Sequence, residues 1–201
     1  MSRIGRILAK SMAATVVAGT AMAGLLVAPA QAVETAVSDP VASASSGGGD
    51  CSTKKTVGNA RNKGDIFHSH SKTLNYDHDH VGIYYTTKTI VEAPGPGSKS
   101  KSVTASTLKK CGPVYKMYVD TKQANRDKAA NHAYKNFRDL PYDANFADNK
   151  NKSNGKLNCS ELVWKAYEHG ANIDLDSDGG KGVYPDNIRD HSKTVTYETI
   201  K

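Results

Sequence analysis

Cys159 occupies a position from which a thiol could act as a nucleophile. It lies in the segment NCSELVWKAYEHG, whose apolar residues recur at helical spacing, so we expect a helix over 158–170. Asn158 and Glu161 have the spacing of a capping box, and Gly170 fits the position just after a helix. Free backbone N–H groups and the positive end of the helix dipole favour a thiolate on the first turn. A buried cysteine without chemistry is the alternative.

A thiol nucleophile needs an imidazole to take and return its proton. His80 begins HVGIYY, which has the β-branched and aromatic residues typical of a strand, and a second strand is predicted over 89–93. If an odd number of residues joins them in a hairpin, His80 and Glu92 share one face of the sheet. Glu92 could then orient the imidazole, the role of a triad's third residue. The alternatives are a surface histidine and a solvent-facing glutamate.

The other two cysteines are expected to form a disulfide. The chain has three cysteines, and Cys51 and Cys111 both lie in polar, loop-like surroundings. A bridge between them would close a loop of about 60 residues, worth ~4 kcal/mol in the chain-entropy model. Cys159 would then be the free thiol.

The remaining pattern predicts an α+β domain with a small antiparallel sheet packed on the helix that carries Cys159. Further strands are expected over 64–67, 114–119 and 194–199, a helix over 122–138, and a polar loop over 71–79. The order of strands, helices and a last strand is typical of the α+β class.

The first 32 residues have the basic start, short apolar run and Ala30-Gln31-Ala32 site of a cleaved signal peptide. A retained anchor is the alternative. Residues 33–50 are rich in Ser, Gly and Ala and are expected to be a flexible leader, so the domain would span 51–201. These segments therefore predict a secreted or envelope-associated bacterial protein with no stable membrane insertion after signal removal.

Charge and ligand patterns disfavour several other functions. The signal holds three of the 27 basic residues and none of the 20 acidic ones, which leaves a net charge of +4 and no basic patch for nucleic acid. We expect no metal and no cofactor. Calcium binding remains an alternative for the turn with Asp174, Asp176 and Asp178, which lacks the final Glu of a calcium loop. Zinc binding remains an alternative for a second cluster, which consists of His68, His70, Asp77, His78, Asp79 and His80.

Several of these segments resemble one family. GDIF, HVGIYY, IVEA, LPYD, NCSELVWKAYEHG and YPDNIRDHS, in this order over residues 63–192, are similar to the permuted NlpC-like, papain-fold cysteine hydrolases of the YiiX/YaeF group. The histidine precedes the cysteine, which is the permuted order. The resemblance implies Cys159 as nucleophile, His80 as base, Glu92 as orienting acid and a position near the site for Tyr142. Asn158 departs from the aromatic residue common in relatives.

The sequence thus predicts a hydrolase that cleaves an amide or related acyl bond through a thioacyl-enzyme. Export and the resemblance indicate cell-wall peptide as substrate, with other acyl or amide substrates as alternatives. A function of a different class remains open: a non-catalytic secreted module that binds cell wall or metal through the histidine-rich segment.

Overall fold

The computed structural model describes residues 51–73, 76–150 and 153–201, without the side chains of 73–77. The predicted signal peptide and leader lie outside the described residues. Within the described part of the chain, no helix combines the length and the apolar character that a membrane span requires.

Seven strands of the described residues form one antiparallel sheet, confirming the α+β prediction with a larger sheet than expected. Long strands with β-branched and aromatic residues form its centre, and shorter polar strands form its edges. In chain order the strands are β1 (Lys54–Thr56), β2 (Ile66–Thr73), β3 (Tyr76–Thr86), β4 (Thr89–Glu92), β5 (Lys101–Thr104), β6 (Lys109–Val119) and β7 (Thr194–Ile200).

The sheet order places the predicted base strand in the centre. The strands run β1-β6-β2-β3-β4-β5, and β7 pairs with β6 along the edge that also carries β1. β2 pairs with β3 from Tyr76 to Ile83 and β4 pairs with it from Ile83 to Thr86, so each part of β3 is hydrogen-bonded to a neighbouring strand. Side chains on β3 are therefore positioned by a rigid element.

Alternation along the strands divides the apolar residues between the two sheet faces. One face packs against the helices through Ile66, Val81, Ile83 and Val91. The opposite face carries a smaller cluster of Val57, Phe67, Tyr84, Ile90, Ala105 and Val114. Neighbouring residues of β3 therefore face different surroundings.

The described residues contain three helices: α1 (Gln123–Asn136), α2 (Cys159–Ala171) and α3 (Pro185–Arg189). Small residues let α1 and α2 approach closely. A Cβ on Gly170 would lie 2.9 Å from Cβ of His132 and 3.0 Å from Cα of Ala129. Gly170 is therefore needed for helix packing and not, as predicted, to end the helix. The left-handed residue at the end of α2 is Asn172, with φ of 57°.

The prediction of a polar loop over 71–79 is wrong. β2 and β3 continue as a long hairpin in which His70 pairs with Asp79 and Ser71 with His78. Polar residues hold strand structure here because backbone pairing and the ion pairs described below replace apolar burial. The sequence reasoning also missed β1, β5 and α3, which are three to five residues long and carry little periodic signal.

Candidate active site

The start of α2 is fixed by the predicted capping box. The Asn158 side chain accepts from the Glu161 N–H at 2.9 Å, and the Glu161 carboxylate accepts from the Asn158 N–H at 3.4 Å. The Ser160 hydroxyl also donates to the Val183 carbonyl at 2.7 Å. Asn158 is fully buried. The residue that departs from the family pattern therefore has a structural use, since it holds the turn that presents Cys159.

The Cys159 thiol lies beside β3, where β4 has ended. The Tyr84 N–H donates to Asp65 on the β2 side, so the N–H of Val81 points to the β4 side. The pairing of β4 with β3 extends only to Val91, and β4 ends at Glu92. The free Val81 N–H hydrogen-bonds the Cys159 sulfur instead. The thiol therefore lies beside the part of β3 that β4 leaves open, and Cys159 belongs to the buried cluster of the helix-covered face.

Burial determines the resting state of this thiol. Cys159 is 1% exposed, and burial raises its pKa to about 11. The N–H groups of Val81 and Ser160 and the charge of Lys110 act in the opposite direction but do not outweigh burial. The helix start was expected to lower the pKa of the thiol. The backbone N–H groups do lower this pKa, but burial raises it by more, so the expectation is wrong for the pKa as a whole. Cys159 rests as a neutral thiol.

His80 and Glu92 are brought together as predicted. His80 donates through Nε2 to Oε2 of Glu92 at 2.8 Å, and each residue is 2% exposed. The predicted odd connection is wrong, because Thr87 and Lys88 form a two-residue turn. A bulge between Tyr84 and Thr86 adds one residue to β3 and restores the shared face. The two side chains are diagonal neighbours.

His80 stands next to the residue whose N–H holds the thiol. The Val81 nitrogen is two covalent bonds from Cα of His80, a separation of under about 2.5 Å. Since Nε2 is engaged by Glu92, Nδ1 is the ring nitrogen available to receive the thiol proton. The hydrogen bonds of the described residues do not include one between the thiol and this ring. The proton-transfer contact is therefore not formed in the resting site.

The electrostatics of the pair favour a neutral base beside a charged carboxylate. Burial and then the charge of Lys110 lower the pKa of His80 to about 4, against the opposing influence of Glu92. Burial alone would raise the pKa of Glu92. Hydrogen bonds and charges from His80 and Lys110 outweigh burial and lower that pKa to about 2. At neutral pH, His80 is therefore free to accept a proton and Glu92 is ionised.

Lys110 is a residue of the candidate site that the sequence reasoning missed. Its Nζ lies 2.6 Å from the same Glu92 oxygen that His80 contacts, and its side chain is 14% exposed. The next residue, Cys111, forms the predicted disulfide with Cys51, with 4.7 Å between the Cα atoms. Extending the predicted strand back from 114 would have placed Lys110 inside the sheet. Sequence alone could not show which carboxylate it meets.

Tyr142 lies where the resemblance implies. It forms a parallel bridge with Leu157, two residues before Cys159. Burial, followed by the charges of Cys159 and Asp143, raises the pKa of its phenol. Tyr142 therefore remains a neutral O–H donor close to the thiol.

The remaining histidines of the sequence cluster separate from His80. His68 Nε2 lies 2.9 Å from Asp186 of α3 and 3.9 Å from Asp79, and His70 Nδ1 lies 2.6 Å from Asp79. Burial lowers the pKa of His68, whereas burial and then Asp186 raise the pKa of Asp79 to about 8. These groups form a second polar cluster on the helix-covered face.

The possible calcium turn has its carboxylates engaged by protein groups. Asp174 accepts from the Trp164 indole at 2.7 Å, and Asp176 pairs with Lys150 at 2.7 Å. Asp178 accepts from Asn187 at 3.0 Å. These contacts support the interpretation of this segment as a structured polar turn.

Comparison with known families identifies the class to which this fold and site belong. Residues 61–191 match the model of the family described as "Permuted papain-like amidase enzyme, YaeF/YiiX, C92 family". The chain therefore belongs to this family of hydrolases, which confirms the resemblance drawn from the sequence.

Two individual proteins show how far the similarity extends. The chain is 39% identical over 155 residues to "Uncharacterized protein YycO" of Bacillus subtilis (strain 168), a match that covers 76% of this chain and 61% of that protein. The chain thus spans about three-fifths of that relative's length. The solved structure of "metalloprotein yiiX" from Escherichia coli O157:H7 aligns with a TM-score of 0.50 at 18% identity, over 69% of this chain and 97% of that one. This likeness shows a shared fold.

Proposed function

We propose that the chain is a secreted cysteine hydrolase that cleaves an amide bond through a thioacyl-enzyme. The observation that carries this proposal is the position of the Cys159 thiol. It sits at the start of α2 against the N–H of Val81, the residue directly after His80, and the His80 ring is paired with Glu92. Membership of an amidase family supports the reaction class, and the arrangement of the three side chains supports the mechanism.

The chemistry begins from two neutral groups. As Sγ of Cys159 attacks the carbonyl carbon, Nδ1 of His80 takes the thiol proton, and Glu92 stabilises the imidazolium. Backbone N–H groups at the start of α2 are aligned to bind the oxyanion, and the Tyr142 hydroxyl is a further donor. The C–N bond then breaks, and His80 gives its proton to the leaving amine.

Deacylation reverses these roles. His80 removes a proton from water, the oxygen attacks the thioacyl carbon, and the thiolate leaves with the carboxylic acid as product. The proton on His80 then returns to Cys159. Because Cys159 is 1% exposed, the acyl group must displace a neighbouring side chain to reach it.

Cell-wall peptide is the substrate class that we propose. The support for it is the predicted signal peptide together with membership of the amidase family. A net charge of +4 on the predicted mature chain also suits a polyanionic wall.

The proposal is tested by incubating the purified full chain with cell-wall fragments and identifying new amine and carboxyl ends by mass spectrometry. We expect release by the wild type and none by Cys159→Ser, since a hydroxyl is a far weaker nucleophile beside this base. Release by Cys159→Ser would rule out the thioacyl mechanism. Activity of the wild type on simple amides but not on wall fragments would agree with the proposed mechanism and exclude cell-wall peptide as the substrate.

A matched pair of histidine variants separates chemistry from folding. His80→Gln should lose turnover, whereas His132→Gln, on α1 beside Phe137, should keep it. If the protein is instead a non-catalytic binding module, His80→Gln, His132→Gln and Cys159→Ser should not change any hydrolysis that is observed. Circular dichroism of each variant shows whether the fold is retained.

A further inference from the structure

Three side chains from separate elements converge on the helix-covered face of the sheet. His68 of β2, Asp79 of β3 and Asp186 of α3 each offer one atom, and these atoms all lie within 4.8 Å of one another. His68 Nε2 faces both carboxylates, at 2.9 Å from Asp186 and 3.9 Å from Asp79. Residues distant in the chain thus direct a nitrogen and two oxygens toward one point.

The cluster has the features of a built site rather than of a surface ion pair. His68 is fully buried, and Asp79 is 7% exposed. Oδ2 of Asp79 is the oxygen that faces Nε2 of His68, at 3.9 Å, while Oδ1 lies 2.6 Å from Nδ1 of His70. Two buried side chains from different strands therefore present a nitrogen and an oxygen to each other, away from water.

The two carboxylates also require positive charge. Asp79 and Asp186 lie within hydrogen-bonding reach of each other, and like charges this close repel strongly away from water unless a proton or a metal cation lies between them. Arg189 lies beside one of them, with its guanidinium 2.8 Å from Asp186. A cation between Asp79, Asp186 and His68 would take the place of the shared proton and also bind the ring nitrogen.

The donor set selects the kind of ion. One imidazole nitrogen and two carboxylate oxygens suit Zn²⁺, which binds such ligands at about 2.0–2.2 Å and accepts three protein ligands with a fourth open position. Ca²⁺ prefers six to eight oxygens, and Mg²⁺ prefers a largely hydrated octahedral site. The three donors are within reach of one Zn²⁺ after small side-chain rotations.

We propose that His68, Asp79 and Asp186 bind one divalent transition-metal ion of the Zn²⁺ type, which ties α3 to the β2–β3 hairpin. The expectation of no metal is thereby revised, and the ligand set differs from the four-histidine set weighed from the sequence. His80 stays with Glu92, and Asp186 enters from the far end of the chain. The ion would be structural, because it would fix Asp79, the residue directly before His80. This inference does not depend on the hydrolase mechanism.

Metal binding is tested directly on the full chain. After removal of metal by a chelator and exhaustive dialysis, ZnCl₂ is titrated by isothermal calorimetry, and bound zinc is measured by elemental analysis. We expect a stoichiometry near one ion per chain and a higher melting temperature with zinc in excess, because a ligand bound to the native state stabilises it. Failure of the wild type to bind zinc would overturn the proposal.

Matched variants locate the ion. Asp186→Asn and His68→Gln should each lower zinc affinity by at least tenfold. Asp190→Asn should bind as the wild type does, because Asp190 lies near the same helix end and also pairs with Arg189 but is not in the cluster. Unchanged affinity in Asp186→Asn and His68→Gln would place the ion elsewhere and contradict the assignment.

A measurement on the wild type covers the case in which those variants do not fold. Crystals grown with zinc and measured at the zinc absorption edge should give one anomalous peak between Nε2 of His68 and the carboxylates of Asp79 and Asp186. A peak at other residues, or none there at saturating zinc, would refute the site.

Discussion

β3 separates two polar clusters that contain the same residue types and do different things. His80 faces the side of Phe67, whereas the neighbouring Asp79 faces α3. On the first side one carboxylate, Glu92, meets a histidine and a lysine. On the second side two carboxylates meet His68 and His70, and one arginine supplies the positive charge.

The difference shows how charge balance assigns a role to a histidine. His80 and then Lys110 keep Glu92 ionised, so Glu92 is a fixed anion that can stabilise an imidazolium during reaction. In the other cluster two neighbouring carboxyl groups share one arginine and two histidines, the arrangement for which we propose a metal ion. We therefore assign the proposed acid–base chemistry to the face on which Lys110 and His80 balance the charge of Glu92.

The largest expected effect comes from Cys159→Ala, which should abolish turnover and leave the fold intact. The sulfur is the atom that forms the covalent bond, whereas the helix cap depends on Asn158 and Glu161. Turnover of a chromogenic amide and far-ultraviolet circular dichroism are the measurements. Hydrolysis retained by the purified variant would show that Cys159 is not the nucleophile.

Glu92→Gln should lower turnover by roughly 10²- to 10⁴-fold, less than loss of the nucleophile, because the carboxylate orients and stabilises without making bonds. Glu92 raises the pKa of His80, so its neutralisation should move the acidic limb of the pH–rate profile below about pH 4. The full profiles of both proteins on one chromogenic ester are compared. Identical rates and profiles would show that Glu92 does not act on His80.

Lys110→Met should have a smaller effect of opposite sign on the pH profile. The lysine charge lowers the pKa of His80, so its removal should raise that pKa above about 4 and shift the acidic limb to higher pH. Turnover at neutral pH should fall about tenfold or less, because Glu92 loses one of its two partners. Lys109→Met, one residue earlier on β6, is the matched control. A downward shift in Lys110→Met would contradict the electrostatic account.

The smallest effect on turnover is expected from opening the disulfide by Cys51→Ser with Cys111→Ser. This double change should cost ~4 kcal/mol of folding free energy, measured by urea denaturation, with a modest change in rate. Before that test, non-reducing mass spectrometry should show a peptide joining Cys51 to Cys111 and an alkylatable Cys159. A bridge that includes Cys159 would contradict both assignments.

Local signals in the sequence were sufficient for the parts of the site that depend on short-range structure. The capping box of α2 and the strand that contains His80 follow from spacing within a few residues, although this strand begins at Tyr76 and not at His80. The free Cys159 follows from the odd number of cysteines. The sequence also predicted that His80 and Glu92 share one face of the sheet. The predicted connection had an odd number of residues, whereas the structure has a two-residue turn and a bulge.

Apart from the disulfide between Cys51 and Cys111, the long-range side-chain contacts were not predicted from the sequence. Lys110 and Asp186 reach their partners across strand pairings and a helix that no local pattern specifies. The pKa of Cys159 was predicted with the wrong sign because burial, a property of the whole fold, outweighs the helix start. Residue types thus indicated the chemistry, while the fold decided which groups meet.

Trapping the acyl intermediate tests the central claim most directly. The full chain is mixed with a p-nitrophenyl ester, quenched in acid during turnover and digested, and the acylated peptide is identified by mass spectrometry. We predict one acyl group on Cys159, greatly diminished in His80→Gln and present in His132→Gln. An acyl group on another residue, or turnover with no acylated peptide, would contradict the assignment of Cys159 as the nucleophile and His80 as its base.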